Sequence, residues 1–119
     1  MTNYKTSKTF EDRLKESDEI INKYPTRIPL IVDKLSNNND TIIPNIDKNK
    51  YLVPEDLTIG QLIYVIRKRI KITPEKAIFI FCNDKLLNSS VNMRDVYNTN
   101  KDKDGFLYII YSGESTFGC

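Results

Sequence analysis

One amphipathic helix, set between two pairs of short apolar runs, restricts the folds open to this chain of 119 residues. The segment Thr58–Lys71 starts with a capping pair, Thr58 and Gln61, and carries isoleucine and leucine side chains at helical spacing. The apolar runs are Ile28–Lys34 and Lys50–Val53 before the helix, and Ile78–Cys82 and Phe106–Tyr111 after it. Two strands, a crossover helix and two more strands predict an α+β fold of β-grasp type, in which a small mixed sheet packs on one helix.

A second amphipathic pattern, over residues 9–24, predicts a helical arm ahead of this core. Thr9 can cap the helix, with Asp12 three residues on, and Pro25 ends it. The last segment holds two glycines and few apolar residues, which is typical of a mobile tail. We therefore expect three parts: an N-terminal helical arm of residues 1–26, a β-grasp core of residues 27–112 and a flexible tail of residues 113–119.

Two prolines and one turn containing glycine predict further local features of the fold. Pro29 lies inside the first predicted strand and Pro54 closes the second. Because proline has no N–H to donate, these strands should have an open edge. Val91–Tyr97 is predicted to be a short helix, and Lys103–Gly105 a hairpin turn leading into the last strand.

The composition excludes most enzyme classes. The chain has no histidine and two cysteines, so it cannot form a Ser–His or Cys–His pair, an imidazole metal cluster or a four-cysteine zinc site. We expect no catalytic residue, no metal and no cofactor, and therefore no enzyme. The 18 Lys+Arg against 16 Asp+Glu give a net charge of +2, which argues against a nucleic-acid partner. Since there is no secretory signal and no apolar span of about 20 residues, the expected compartment is the reducing cytoplasm.

Three motifs have both a chemical and a structural interpretation. Asn100–Gly105 spaces oxygen side chains as a calcium loop does, but Tyr111 stands where the bidentate acid is needed, which favours a hairpin turn. The basic run Arg67–Lys71 could be an anion patch, a nuclear-import signal or a phosphate contact. A helix end whose cations complement the helix dipole is the favoured interpretation. Cys82 ends an apolar run and is predicted to be a buried, inert thiol.

Several long blocks make the sequence recognisable. They are Ile46–Pro54, Asp56–Ile70, Pro74–Asp84 and Asp102–Gly118. In this order they closely resemble the autophagy-related ubiquitin-like modifiers, the family of GABARAP and microtubule-associated protein light chain 3. The resemblance runs from about Phe10 and includes Arg27-Ile28-Pro29. It implies a ubiquitin-like β-grasp core with an N-terminal helical arm packed on it.

The resemblance also implies that this chain is a substrate, whose partners supply the catalytic groups. A processing cysteine protease would remove Cys119, and ubiquitin-activating-like and conjugating-like enzymes would pass Gly118 through thioesters to an amide on phosphatidylethanolamine. The modifier would act in autophagosome formation, moving from the cytoplasm to the autophagosome membrane and, on turnover, to the vacuole or lysosome. The alternative is a non-conjugated β-grasp interaction module in vesicle trafficking.

Members of the family also bind cargo receptors through short aromatic-x-x-aliphatic motifs, which add a strand along an open sheet edge. The resemblance places the aromatic side chain in a first pocket made by Glu16, Ile20, Pro29, Ile31, Lys50, Leu52 and Phe106. It places the aliphatic side chain in a second pocket made by Tyr51, Val53, Pro54, Leu57, Leu62 and Val65. Arg27 and Lys50 would pair with acidic residues that flank such motifs. Alternation supports this division, because Lys50 and Leu52 share one strand face and Tyr51 and Val53 the other.

Overall fold

Capping side chains mark the starts of the three longer helices. The computed structural model describes residues 4–35 and 43–114, so Gly118, Cys119 and the asparagine-rich loop at 36–40 lie outside the described residues. The helices are α1 (Tyr4–Ser7), α2 (Phe10–Lys23), α3 (Ile59–Ile70) and α4 (Met93–Asn100). Thr9 caps α2 by accepting the Asp12 N–H, and Thr58 and Gln61 form the full capping box of α3. Both cap predictions are confirmed.

The strands form one mixed sheet in the described part of the chain. They are β1 (Arg27–Lys34), β2 (Lys50–Pro54), β3 (Phe79–Cys82), β4 (Lys85–Leu86) and β5 (Leu107–Ser112), in the order β2-β1-β5-β3-β4. The central pair β1 and β5 is parallel, and the other pairs are antiparallel. The predicted α+β class is confirmed, and the four predicted strands are joined by a fifth, β4, which sequence analysis missed.

Pro29 lies inside the sheet without breaking it. The Val32 N–H donates to the Asn49 carbonyl at 2.8 Å, so alternate N–H groups of β1, those of Ile28, Leu30 and Val32, point to β2. The position of Pro29 therefore faces β5, whose ladder starts only at the Leu30–Leu107 pair. The expected open edge is wrong for β1 as a whole, since it lies between β2 and β5. The proline is tolerated because, within the described residues, β1 has no partner on that side at residue 29.

The turn before β5 differs from the expected hairpin, because it joins helix α4 to β5 rather than two strands. Its glycine is required by geometry. Gly105 has φ of 90°, and a Cβ there would lie 2.2 Å from Ser17 Oγ. This close approach is what lets α2 pack against the turn.

The core lies between one face of the sheet and α3. Ile28, Leu30 and Val32 point to this side from β1, and Leu62 and Ile66 lie in the same buried cluster. Cys82 belongs to it as well: its thiol donates to the Tyr108 carbonyl at 3.3 Å, and burial raises its pKa to about 11. The predicted burial of this thiol is confirmed, and the raised pKa disfavours the reactive thiolate.

Candidate functional site

Strand β2 forms a free edge of the described sheet. The bond between Val32 and Asn49 fixes which residues of β2 bond to β1, and by alternation these include Tyr51 and Val53. The backbone N–H and C=O groups of Lys50 and Leu52 consequently point away from the sheet. They are positioned to pair with an added strand.

The predicted first pocket lies on the sheet face opposite the core. Ile31 pairs with Lys50 and Pro29 with Leu52, so these four side chains share that face. Pro29 and Ile31 are buried, and helix α2 supplies two half-buried members, Glu16 and Ile20, which stand one turn apart. Phe106 has no exposed surface and lies beneath, covered edge-on by the Tyr4 ring of α1 at 5.2 Å between centroids.

Glu16 joins three elements at the entrance of this first pocket. Its carboxylate accepts hydrogen bonds from Tyr4 Oη, from Lys8 Nζ at 3.0 Å and from Lys50 Nζ. Burial by itself would raise the pKa of Glu16, but the bonds from Lys50, Tyr4 and Lys8 outweigh burial and lower it to about 2. The Glu16–Lys50 ion pair therefore connects α2 to the free edge strand at neutral pH.

The predicted second pocket lies on the core side of β2, towards α3. The structure divides its members into floor and rim. Val53 and Leu62 are buried in the core cluster, with Leu62 fully covered, and Tyr51 and Leu57 are half-buried against it. The rim is formed by the exposed side chains of Pro54 and Val65, the latter 39% exposed. Leu62 can therefore act only as part of the floor in this conformation.

The two predicted motif-acid contacts differ in how they are held. Arg27 is exposed at the start of β1, and its Nη1 atom lies 3.4 Å from the Leu52 carbonyl on the free edge. Lys50 is bonded to Glu16. Arg27 is therefore accessible from solvent, whereas Lys50 is already shared with Glu16.

A buried carboxylate, which sequence analysis missed, fixes α2 on the core. Asp104 accepts hydrogen bonds from Arg13 Nη1 at 2.6 Å and from Tyr108 Oη at 2.5 Å, and its carbonyl accepts from Ser17 Oγ at 2.5 Å. These partners lie 87 to 91 residues away on α2 and four residues away on β5. No local sequence pattern indicates that Asp104 pairs with residues of α2. The prediction for this position was a turn and included no such contact. The anchor sets the position of Glu16 and Ile20 over β2.

Comparison with known proteins places this arrangement in a family. The family profile described as "Autophagy protein Atg8 ubiquitin like" matches residues 12–118. The chain belongs to the Atg8 family. Its members are ubiquitin-like modifiers of autophagy, and conjugation to phosphatidylethanolamine is the known role of the family.

Individual Atg8 relatives match nearly the whole chain. Autophagy-related protein 8 of Vanderwaltozyma polyspora is 55% identical over 117 residues, covering 98% of this chain and 97% of the relative. Autophagy-related protein 8e of Arabidopsis thaliana is 56% identical over 115 residues, covering 97% and 92%. The crystal structure of Trypanosoma brucei ATG8 superposes with a TM-score of 0.88 at 45% identity, covering 99% of each chain. The predicted family and the ubiquitin-like β-grasp fold are confirmed.

Within residues 4–35 and 43–114, no helix combines the length and the apolar character that a membrane span requires. Attachment to a membrane in this family is covalent, through the conjugated lipid.

Proposed function

We propose that this chain is processed after Gly118 and conjugated through that glycine to phosphatidylethanolamine, with Cys119 as the residue removed. The observation that carries the proposal is the family match, which extends to Gly118 and leaves Cys119 beyond it. The chain then acts as a substrate, and a cysteine protease and ubiquitin-activating-like and conjugating-like enzymes supply the catalytic groups. The absence of histidine from the whole sequence agrees with this division of labour.

The distance between the core and Gly118 suits this role. β5 ends at Ser112, six residues before Gly118, and six residues reach at most about 20 Å. Glycine has no Cβ, so it can enter narrow active sites that close on the backbone. The two acyl chains of the conjugated lipid then hold the domain at the bilayer, at about 0.8 kcal/mol per buried methylene.

Substitution of the terminal glycine tests conjugation. We expect Gly118→Ala to fold normally but to resist both trimming by the matching protease and transfer to phosphatidylethanolamine vesicles, followed by intact mass. Gly113→Ala is the control, since it makes the same change five residues earlier. Efficient lipidation of Gly118→Ala would overturn the assignment of Gly118. So would an equal loss of trimming and lipidation in the Gly118→Ala and Gly113→Ala variants.

We also propose that the free edge of β2 binds aromatic-x-x-aliphatic motifs of cargo receptors, using the two pockets described above. The support is the outward backbone of Lys50 and Leu52, with a pocket on each side of the strand. Arg27, exposed beside the edge, supplies charge for acidic flanking residues.

Matched substitutions on the two edges of the sheet test this docking. Leu52→Ala on β2 should weaken binding of a motif peptide about tenfold, because it removes apolar pocket surface of about 1.5 kcal/mol. Leu86→Ala on β4, at the opposite edge, is the control and should leave the affinity unchanged. Arg27→Gln should weaken only peptides with acidic flanks, about two- to fivefold. If Leu86→Ala weakened binding of the motif peptide and Leu52→Ala did not, the binding site would lie on β4 instead of β2.

In the cell, this function places the unmodified chain in the cytoplasm and the lipidated chain on autophagosome membranes, with delivery to the vacuole or lysosome on turnover. A non-conjugated interaction module is not favoured, because conjugation is the role of the family. The intact mass of the cellular protein separates the two.

A further inference from the structure

The C-terminal end of α3 and the end of β5 lie at the same end of the molecule. Phe79, the first residue of β3, pairs with Ser112, the last residue of β5. Two further contacts tie the α3 side to this end: Tyr111 Oη donates to the Pro44 carbonyl at 2.7 Å, and Arg69 Nε lies 2.8 Å from Asp47 Oδ1. The described part of the chain therefore ends, at Glu114, at the same end of the molecule as the last turn of α3.

This end carries a basic cluster, which we define as Arg67, Lys68, Arg69, Lys71 and Lys76. Two of its members have structural partners. Arg67 donates to the carbonyls of Thr73 and Lys76 and so folds the following loop onto the helix, and Arg69 is paired with Asp47. These contacts give the two arginines structural roles at the end of α3.

The lysines of the basic cluster have no ion-pair partner within the described residues. Lys68 lies over the ring of Tyr64 at 5.0 Å, and Lys71 and Lys76 are exposed. Lys71 also occupies a left-handed cap with φ of 56°, where glycine would be less strained. Among the described carboxylates, Asp47 is already paired with Arg69.

The surface between these lysines has the composition of a membrane–water interface. A shallow groove of about 490 Å³ is lined by Tyr64, Arg67, Lys68, Lys71, Ile72 and Pro74. Tyr64 is 61% exposed, and an exposed aromatic ring beside flexible cations is typical of residues that meet lipid headgroups.

We infer that the basic cluster contacts anionic lipid headgroups once the chain is tethered at Gly118, so that this end of the domain lies on the bilayer. The inference rests on the proposed conjugation. Gly118 is four residues beyond Glu114, which limits its distance from Glu114 to about 14 Å whatever path those residues take. The tether therefore keeps this end of the domain near the headgroups, where the attraction between charges is screened over a Debye length of about 8–10 Å. Attraction of lysine to anionic lipid then fixes the orientation of the domain.

The test couples the full chain to vesicles without the conjugation enzymes. The Cys119 thiol is reacted with a maleimide-headgroup lipid, while Cys82 is 3% exposed and does not compete. Lysine acetylation is then followed by mass spectrometry on phosphatidylserine-rich vesicles and on phosphatidylcholine vesicles. We expect acetylation of Lys68, Lys71 and Lys76 to slow about fivefold on the anionic vesicles at about 0.1 M salt, and the difference to vanish near 1 M salt.

Lysines at the opposite end of the sheet provide the control. Lys85 and Lys101 should acetylate at the same rate on both vesicles. In a second comparison, Lys71→Gln with Lys76→Gln should reduce the protection of Lys68, whereas Lys101→Gln with Lys103→Gln should leave it intact.

Equal acetylation of Lys68, Lys71 and Lys76 on the two vesicle types would overturn the inference. If the conjugating enzyme slowed acetylation of these lysines and anionic vesicles did not, the inference would also be overturned, and the basic cluster would be a protein-binding surface. Because the coupling bypasses the enzymes, a chain that shows the protection but is never lipidated enzymatically would contradict only the proposed function.

Discussion

Replacing Asp104 with asparagine is the sharpest test of how the helical arm is held on the core. The carboxylate has no exposed surface, and its ion-pair partner Arg13 retains 11% exposure. The substitution keeps the size of the side chain and removes its charge. The Asn amide can still accept the Phe106 N–H, which donates to Asp104 at 2.9 Å, but its NH2 group faces the donors of Arg13 and Tyr108.

The expected cost follows from these contacts. A hydrogen bond to a charged group contributes about 1.5–3 kcal/mol, and removing one partner of a buried ion pair costs about 3–5 kcal/mol. We therefore expect Asp104→Asn to lower the free energy of unfolding by about 3–4 kcal/mol, out of a typical total of about 5–15 kcal/mol. At about 4 °C per kcal/mol for a chain of this size, Tm falls by about 12–16 °C while the protein remains folded at room temperature.

Urea unfolding of matched variants measures this effect. Asp102→Asn removes the same charge from the same turn, but its carboxylate is 28% exposed and pairs with the exposed Lys5, so it should cost less than about 1 kcal/mol. The slope of the unfolding curve should be unchanged in both variants. If the free energies of unfolding of Asp104→Asn and Asp102→Asn differ by less than about 1 kcal/mol, the buried Asp104 does not hold the helical arm on the core.

Three further predictions concern single side chains. Because the folded pKa of Glu16 is lowered from 4.5 to about 2, its contribution to stability is complete above pH 4.5 and is lost as pH falls towards 2. In the Glu16→Gln variant, the midpoint of urea unfolding should depend less on pH over this range. A variant whose midpoint follows the same pH profile as the parent chain would contradict the role of the Glu16 ion pairs. Gly105→Ala should cost at least about 2 kcal/mol in urea unfolding, since its Cβ would overlap Ser17, and a neutral result would refute the close packing. Tyr51→Phe should raise stability by about 1 kcal/mol, because the buried Tyr51 hydroxyl has no hydrogen-bond partner in the described structure, and a loss of stability would show that the hydroxyl is satisfied.

Local features of the chain could be predicted because their causes lie within a few residues. The Thr9 and Thr58 caps need only a side chain three residues from its backbone partner, and both formed as expected. The alternation of Lys50 to Val53 likewise follows from the pleat of one strand. With the apolar patterns, these features predicted three of the four helices and four of the five strands in the described residues, and the two faces of the edge strand.

What could not be predicted depends on contacts between distant segments. Strand β4 is two exposed residues long and has no apolar pattern; its signal was Asn83-Asp84, whose positive φ angles of 51° and 66° suit a two-residue hairpin. Asp104 is buried because Arg13, 91 residues earlier, neutralises it. Tyr4 stood alone in a polar segment, and nothing local indicated that it covers Phe106.

The candidate site shows the same division. The resemblance named its members, and alternation explained their two faces, but the sequence could not tell floor from rim. Leu62 is fully buried and Val65 is exposed, although they are three residues apart on one helix, because the sheet covers only one side of α3.

Intact mass spectrometry of the protein, expressed with its matching protease and conjugation enzymes and supplied with phosphatidylethanolamine vesicles, tests the central claim most directly. The account predicts a product that has lost Cys119 and gained one phospholipid at Gly118. A chain that keeps its full mass, under conditions where another Atg8 relative is trimmed and lipidated, would contradict it.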